Sequence, residues 1–116
     1  MIRIALLTIS DRSSRGERPD ASGPALQAAL AKHGWQIIHK GLIPDDFTAI
    51  RDTLVSWADS GEVDVVFTTG GTGFAPRDVT PEATRLAIQR EAPGLSEAMR
   101  AASLKITPHA MLSRAV

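Results

Sequence analysis

The sequence predicts an α/β domain in which helices cover both faces of a parallel sheet. Short apolar runs of strand length alternate along the chain with stretches that show helical periodicity. One run, residues 63–67, is valine-rich and leads into a glycine-rich loop, a composition typical of a strand covered on both faces. This alternation indicates βαβ units, and 116 residues suffice for one core. We therefore expect a single domain spanning residues 1–116.

The first part of the chain predicts a strand, a long loop and a helix. Residues 2–9 are almost continuously apolar, whereas residues 10–20 are polar and charged and contain glycine and proline. Such long loops in small domains are usually functional or disordered. A helix capped by Ser22 or Gly23 should follow, with proline in its first turn, and it should end at Gly34.

A second strand and a second helix come next. Residues 35–43 form the predicted strand, and residues 44–46 lead into the helix. Apolar residues recur on one face of this helix: Phe47, Ile50, Leu54 and Trp57. The simplest role for Asp45 is to cap the start of this helix, and the alternative is a ligand-binding role.

The third strand runs into the glycine loop Thr69-Gly70-Gly71-Thr72-Gly73. Its glycines lack the Cβ atoms that would keep a ligand away from the backbone, and they allow positive φ angles. The N–H groups could converge on an anion, although an ordinary tight turn has the same spacing. The threonine hydroxyls favour a phosphate ligand. The loop matches neither the dinucleotide fingerprint nor the P-loop pattern.

The last part of the chain predicts two helices and a strand. The first helix should span residues 81–91 with Thr80 as its N-cap. Because Thr80 already supplies a cap, a ligand or metal role for Asp78 stands beside a structural one. Residues 95–104 predict the second helix, and residues 110–116 predict the start of a strand.

Three loops should meet at one edge of the sheet, because right-handed crossovers bring the carboxyl ends of parallel strands together. Ser10 and Asp11 follow the first strand, Asp45 follows the second, and the glycine loop follows the third. Asp45 and Asp78 could hold Mg²⁺ there, since magnesium favours one or two carboxylates plus substrate phosphate. The arginines of the long loop either neutralise a polyphosphate or are solvated surface charges: Arg12, Arg15 and Arg18.

Composition excludes several classes of protein. Thirteen basic residues balance thirteen acidic ones, so a nucleic-acid surface is not expected. The absence of cysteine excludes a disulfide scaffold, a thiolate metal site and a cysteine nucleophile. The three histidines lack metal-ligand spacing, and no Gly-x-Ser-x-Gly motif is present. With no secretory segment and no bilayer-length apolar run, we expect a cytoplasmic protein without a membrane partner.

Several motifs occur in one order along nearly the whole chain. They are Ile9-Ser10-Asp11-Arg12-Ser13-Ser14-Arg15-Gly16, Asp20-Ala21-Ser22-Gly23, Leu42-Ile43-Pro44-Asp45, Thr69-Gly70-Gly71-Thr72-Gly73, Pro76-Arg77-Asp78-Val79-Thr80-Pro81-Glu82-Ala83, Pro93-Gly94-Leu95, Ser103-Leu104-Lys105 and Ala110-Met111-Leu112-Ser113-Arg114. Together they resemble the MogA/MoaB family of molybdenum cofactor biosynthesis proteins, and the Ser-Asp-Arg loop looks more like the MogA branch.

The resemblance implies a molybdopterin adenylyltransferase, which uses Mg²⁺ to transfer AMP from ATP to the terminal phosphate of molybdopterin and releases pyrophosphate. It also implies a three-layer α/β/α sandwich whose mostly parallel sheet has one antiparallel strand. A homotrimer and a contact with the molybdate-inserting protein of the pathway are further implications. By position, Asp45 and Asp78 match the catalytic acidic residues of the family. The expected substrate-binding residues are Ser10, Asp11, Thr69, Gly70, Gly71, Thr72, Gly73 and Ser103.

Two other functions remain as alternatives to the enzyme. One is a MoaB-like protein that holds molybdopterin without turning over ATP, and the other is a scaffold for proteins of the same pathway. Proteins of this family continue beyond the position of Val116 with a strand, a loop and helices. We therefore expect the domain to lack its C-terminal closing elements.

Overall fold

A computed structural model describes all residues, 1–116, and shows a parallel sheet of three strands. The strands are β1 (Arg3–Ile9), β2 (Gln36–Ile43) and β3 (Val65–Thr69). Their order is β2-β1-β3, and β1 pairs in parallel with both neighbours. The predicted α/β architecture with a parallel sheet is confirmed. None of the three strands is antiparallel.

Helices occupy most of the remaining chain. They are α1 (Asp11–Ser14), α2 (Ser22–Ala31), α3 (Phe47–Asp59), α4 (Thr80–Ala87), α5 (Pro93–Leu104) and a 3₁₀ helix (Pro108–Leu112). None of them combines the length and the apolar character that a membrane crossing requires.

The side chains of β1 alternate between two apolar clusters. Leu7 and Ile9 pack with Ile50 and Leu54 of α3, and this cluster extends to α4. Ile4 and Leu6 point the other way and form a second cluster with Leu30 of α2. Successive side chains of a strand face opposite sides of a sheet. A single central strand therefore organises the packing of helices on both faces. The cover on both faces predicted for residues 63–67 is wrong, because β3 lies at an edge of the three-stranded sheet and Val65 is 38% exposed.

The apolar face predicted for α3 is confirmed. Ile50 and Leu54 are buried, and Phe47 and Trp57 pack against the same cluster. The cap of this helix differs from the prediction, because the Asp46 carboxylate accepts the Ala49 N–H at 2.9 Å. Asp45 is therefore not the cap, and its side chain is free to turn toward the edge of the sheet.

Two further predicted caps are wrong. The N-cap residue of α2 is Ala21, so neither Ser22 nor Gly23 is the cap, and the Asp20 carboxylate accepts the Gly23 N–H at 3.0 Å. Thr80 is the first residue of α4, and its hydroxyl makes no capping bond. The Thr80 N–H instead donates to the Gly71 carbonyl at 3.1 Å, which anchors this residue to the glycine loop and buries its side chain.

The chain also differs from the predicted boundaries in three places. The long loop contains the short helix α1, and α4 ends at Ala87 because Ile88 adopts an extended backbone. The strand predicted for residues 110–116 is wrong. A 3₁₀ helix occupies its start, with Pro108 in the first turn and the Thr107 hydroxyl accepting the His109 N–H.

Candidate active site

A cavity of about 730 Å³ opens at the carboxyl edge of the sheet. It is reached by the ends of all three strands, because Ile9 pairs with Ile43 and Thr8 pairs with Thr69. The predicted site residues that line this cavity are Ser10, Asp11, Asp45, Gly70, Gly71 and Asp78. The structure thus brings together the three loops that the crossover rule assigned to one crevice.

Reciprocal hydrogen bonds between Asp11 and Asp45 connect the ends of β1 and β2. The Asp11 N–H donates to Asp45 Oδ2 at 2.9 Å, and the Asp45 N–H donates to Asp11 Oδ1 at 2.9 Å. Each carboxylate therefore accepts a backbone donor from the other residue. This reciprocal pair fixes the position of both side chains relative to the sheet, and hydrogen bonds to ionised groups are the stronger kind.

Arg77 engages the Asp11 carboxylate from the loop that precedes α4. Its Nε and Nη2 atoms donate to the two oxygens of Asp11, each at 2.9 Å. This bidentate pair holds the pKa of Asp11 at about 2, mainly through the side-chain hydrogen bond. Both oxygens of Asp11 are thus already bonded, to Arg77 and to the Asp45 backbone. Asp11 lies at the cavity as predicted, but its carboxylate stabilises the structure of the site through the bonds to Arg77 and to the Asp45 backbone.

Ser10 is similarly engaged within the protein. Its hydroxyl accepts the Ser13 N–H at 3.2 Å and caps α1. Ser10 lines the cavity as predicted, and its side chain stabilises the loop that forms one wall.

Asp45 is a partly buried carboxylate of the site. Burial raises the pKa of Asp45, and the negative charges of Asp11 and Asp78 raise it further, while the Asp11 N–H opposes this shift. Oxygen Oδ1 is buried and has no hydrogen-bond partner. The buried hydroxyl of Thr80 also lacks a partner. Buried polar atoms are nearly always hydrogen-bonded. These two unpaired oxygens therefore indicate a position where a ligand or a cation can bind.

Gly70 and Gly71 pack so closely that no side chain fits. Both have positive φ, +104° and +68°. A Cβ at Gly70 would collide with the Ile9 carbonyl oxygen, and a Cβ at Gly71 would lie 2.9 Å from Asp45 Oδ1 and closer still to Thr80 Oγ1. These glycines therefore let the loop backbone reach the end of β1 and the buried carboxylate.

Gly73 and Asp78 face each other across the rest of the loop. A Cβ at Gly73 would lie 2.8 Å from Asp78 Oδ2, and that oxygen accepts the Ala75 N–H at 3.0 Å. Three predicted contacts of this loop, Thr69, Thr72 and Gly73, do not line the cavity. Thr69 ends β3 beside Thr8, and the Thr72 carbonyl accepts a backbone N–H from Arg114.

Ser103 lies elsewhere. It is the penultimate residue of α5 and lines a separate cavity of about 150 Å³ with Ser96, Met99 and Arg100. The structure does not bring Ser103 to the cavity that contains Asp45, so its binding role stays a prediction.

The donors present suit a hard cation that shares its ligands with a substrate. The chain has no group of three or more His, Cys, Asp or Glu side chains that could hold a metal by itself. Asp45, with its unpartnered oxygen, and Asp78 both line the cavity. One or two carboxylates completed by substrate phosphate and water is the coordination that Mg²⁺ favours. The residues therefore fit the ion that the sequence predicted.

The positive charges near the cavity are divided between two roles. Arg12 and Arg18 line it, whereas Arg15 pairs with Glu17 at 2.9 Å on the surface.

Sequence reasoning missed the role of Arg77, because Arg77 and Asp11 lie 66 positions apart and no spacing rule connects them. The only available signal was its place beside Asp78 in the loop after the glycines.

Comparison with known proteins places the chain among molybdopterin-binding proteins. Residues 5–116 match a family model described as "Probable molybdopterin binding domain". The molybdopterin adenylyltransferase of Helicobacter pylori J99 is 43% identical over 97% of this chain and 65% of that protein. The molybdopterin adenylyltransferase of Escherichia coli K12 is 44% identical over 99% of this chain and 60% of that protein. The chain therefore spans less than two thirds of the length of these curated relatives.

Solved structures show the same likeness. MoaB of Thermus thermophilus, a molybdopterin biosynthesis enzyme, superposes with a TM-score of 0.91 and 46% identity, covering 98% of this chain and 72% of that one. A structure of MogA gives a TM-score of 0.89 and 32% identity, covering 97% of this chain and 73% of that one. The ordered motifs, the parallel α/β fold and these matches agree, and the chain belongs to the MogA/MoaB family of molybdopterin-binding proteins.

Proposed function

We propose that this protein is a molybdopterin adenylyltransferase, which transfers AMP from ATP to the terminal phosphate of molybdopterin and releases pyrophosphate. Curated relatives with that activity are 42 to 44% identical to the chain. The observation that carries the proposal is the convergence of the glycine loop, Asp45 and Asp78 on one cavity. A backbone that can approach a phosphate and two carboxylates that can share a cation are what phosphoryl-group chemistry requires.

The reaction asks the protein mainly for positioning. An oxygen of the pterin phosphate attacks the α-phosphorus of ATP, and the bond from that phosphorus to the pyrophosphate oxygen breaks. No proton must be removed from an ionised phosphate nucleophile. Gly70 and Gly71 let the loop backbone pack against the end of β1 and Asp45, and both residues line the cavity. Holding two reactants in line and stabilising the developing charge are the main sources of rate enhancement in such transfers.

Asp45 and Asp78 are the residues that would hold Mg²⁺. When bound, the ion would neutralise charge on the polyphosphate of ATP. The unpartnered, buried Oδ1 of Asp45 supports this assignment, since a cation would satisfy an acceptor that otherwise has no donor.

Charge balance in the cavity supports a polyphosphate substrate. Four carboxylates in one cavity, those of Asp11, Asp20, Asp45 and Asp78, would repel phosphate, but Arg77 neutralises Asp11 through its bidentate pair. Arg12 and Arg18 add positive charge to the lining of the cavity. We assign these two arginines to the ATP phosphates, and an anionic substrate would then meet a compensated site.

The direct test is AMP transfer by the purified protein with molybdopterin, ATP and Mg²⁺. Asp78→Ala should abolish transfer while the circular dichroism spectrum and melting temperature stay close to those of the wild type. The fold should tolerate this change because Asp78 is only half-buried and directly follows the exposed residues 74–77. Full transfer by the folded Asp78→Ala protein would refute the role of Asp78.

A second function is favoured by the likeness to MoaB of Thermus thermophilus. In that case the protein would bind molybdopterin and leave ATP unchanged. Isothermal titration calorimetry separates the two functions: an enzyme should show pterin-dependent heat of ATP turnover, whereas a binding protein should show saturable pterin binding alone.

The other implications of the family resemblance belong to the same proposal. We infer a homotrimer, a cytoplasmic location and a contact with the molybdate-inserting protein. We also infer a single domain over residues 1–116 that forms part of a three-layer α/β/α sandwich with one antiparallel strand. Light scattering of the purified protein measures the oligomer directly.

A further inference from the structure

Arg114 directs all its side-chain hydrogen bonds to the segment that carries Asp78. Nε donates to the Gly73 carbonyl at 2.7 Å, Nη2 donates to the Asp78 carbonyl at 2.7 Å, and Nη1 donates to the Glu82 carboxylate at 2.6 Å. The guanidinium also lies 5.5 Å from the centre of the Phe74 ring. In addition, the Arg114 N–H donates to the Thr72 carbonyl at 2.9 Å.

These bonds join the two ends of one turn. Gly73 lies at the start of the bend and turn of residues 73–77, and Asp78 closes the turn by donating its N–H to the Ala75 carbonyl. The guanidinium is planar and rigid, so one Arg114 side chain that bonds both carbonyls sets the separation between them. The Asp78 carboxylate lies inside the same turn, bonded to the Ala75 N–H and close to Gly73. Arg114 therefore determines where the Asp78 backbone stands.

Few other contacts restrain this turn from outside. Arg77, at the end of the turn, forms an ion pair with Asp11, but the Arg77 side chain is 63% exposed. Within the turn, the Asp78 N–H donates to the Ala75 carbonyl at 2.9 Å. Arg114 is the better buried of the two arginines, with 29% of its side chain exposed, and Glu82 supplies its counter-charge. A partly buried ion pair with additional carbonyl acceptors is the kind that holds a fixed geometry.

We propose that Arg114 is a positioning residue for AMP transfer, which holds Asp78 and the end of the glycine loop in a fixed position relative to Asp45. The inference rests on the proposed function for its activity readout. Its mechanical part, that Arg114 immobilises residues 73–78, stands independently. Among the residues that line the Asp45 cavity, Arg114 hydrogen-bonds only Asp78, and it does so through the Asp78 backbone.

The test compares Arg114→Lys with Arg85→Lys, a matched control. Lysine retains the charge opposite Glu82 but cannot bond two carbonyls and a carboxylate with one planar group. Arg85 lies on the same helix as Glu82 and forms an exposed ion pair with Glu91, away from the Asp45 cavity. Hydrogen exchange should accelerate over residues 73–78 in Arg114→Lys alone. The kcat for AMP transfer should fall by about 100-fold, as for a misplacement of about 1 Å, with KM for ATP little changed.

A double-mutant cycle separates positioning from general destabilisation. If Arg114 acts through Asp78, adding Arg114→Lys to Asp78→Asn should cause little further loss of the residual rate. Unchanged hydrogen exchange over residues 73–78 in Arg114→Lys overturns the proposal. Equal losses in the Asp78 and Asp78→Asn backgrounds overturn it as well. A wild-type protein without AMP transfer refutes the proposed function instead, and the exchange experiment then still decides whether Arg114 holds the turn.

Discussion

Gly71→Ala tests whether the close approach of the glycine loop to Asp45 creates the site. Gly71 has a φ of +68°, and an added Cβ would lie 2.9 Å from the buried Asp45 Oδ1, with Thr80 Oγ1 nearer still. Backbone strain for an L-residue in the left-handed region is about 1–2 kcal/mol. Overpacking against buried neighbours adds about 1–3 kcal/mol. The variant should therefore lose about 2–5 kcal/mol of unfolding free energy.

The chain offers a matched control for the backbone strain alone. Gly61 has a φ of +74°, and an added Cβ there would meet nothing within 4 Å. Gly61→Ala should cost only the strain, about 1–2 kcal/mol, and leave AMP transfer unchanged. The difference between the two variants in chemical denaturation isolates the contacts with Asp45 and Thr80.

The same pair of variants tests the function of the contact. Because neither neighbour of Gly71 can move into open space without leaving its buried position, Gly71→Ala should displace the Asp45 carboxylate. AMP transfer by the folded variant should fall by about 100-fold or more. If Gly71→Ala matches Gly61→Ala in both stability and transfer, the packing of the loop on Asp45 is not what organises the site.

Two further predictions concern acidic residues whose roles differ by position. Asp46→Ala should lower the unfolding free energy by about 1 kcal/mol through loss of the α3 cap, and AMP transfer should be kept. Asp45→Ala should instead abolish transfer, because Asp45 lines the cavity. Equal transfer by the two folded variants contradicts this assignment. Hydrogen bonds from Arg3 lower the pKa of Asp64 to about 2 from 3.8, so the ion pair stabilises the fold above about pH 4 and this contribution is lost as the pH falls through about 2. The melting temperature of Asp64→Asn should thus lie below that of the wild type at neutral pH, with the gap closing toward pH 2; a constant gap contradicts this reasoning.

Local patterns in the sequence are enough to predict the framework of this protein. The apolar run of β1 is a local composition, and the helical spacing of Phe47, Ile50, Leu54 and Trp57 is a period that one element imposes on its own residues. The meeting of Ser10, Asp45 and the glycine loop follows from the handedness of βαβ crossovers. These features need no knowledge of long-range contacts, and the structure confirms them.

Local patterns fail where two neighbouring residues compete for one role. Asp45 and Asp46 are both acceptable caps by residue type, and only the backbone geometry at the start of α3 gives the cap to Asp46. The same holds for Thr80, which is a good cap by composition but donates its N–H to Gly71. In both cases tertiary packing, and not propensity, decided which residue precedes the helix as its cap.

The sequence by itself therefore determined the order of elements, the edge at which the site forms and the family to which the motifs point. Tertiary structure alone decided which charges neutralise one another and which backbone they hold. Arg77 reaches Asp11 across 66 positions, and Arg114 reaches Asp78 across 36. Such pairs carry no periodic signal, because their geometry exists only after the strands and helices have packed. The glycine loop shows both sides: its composition indicated a close approach of a ligand to the backbone, whereas the fold packs Asp45 and Thr80 beside the missing Cβ of Gly71.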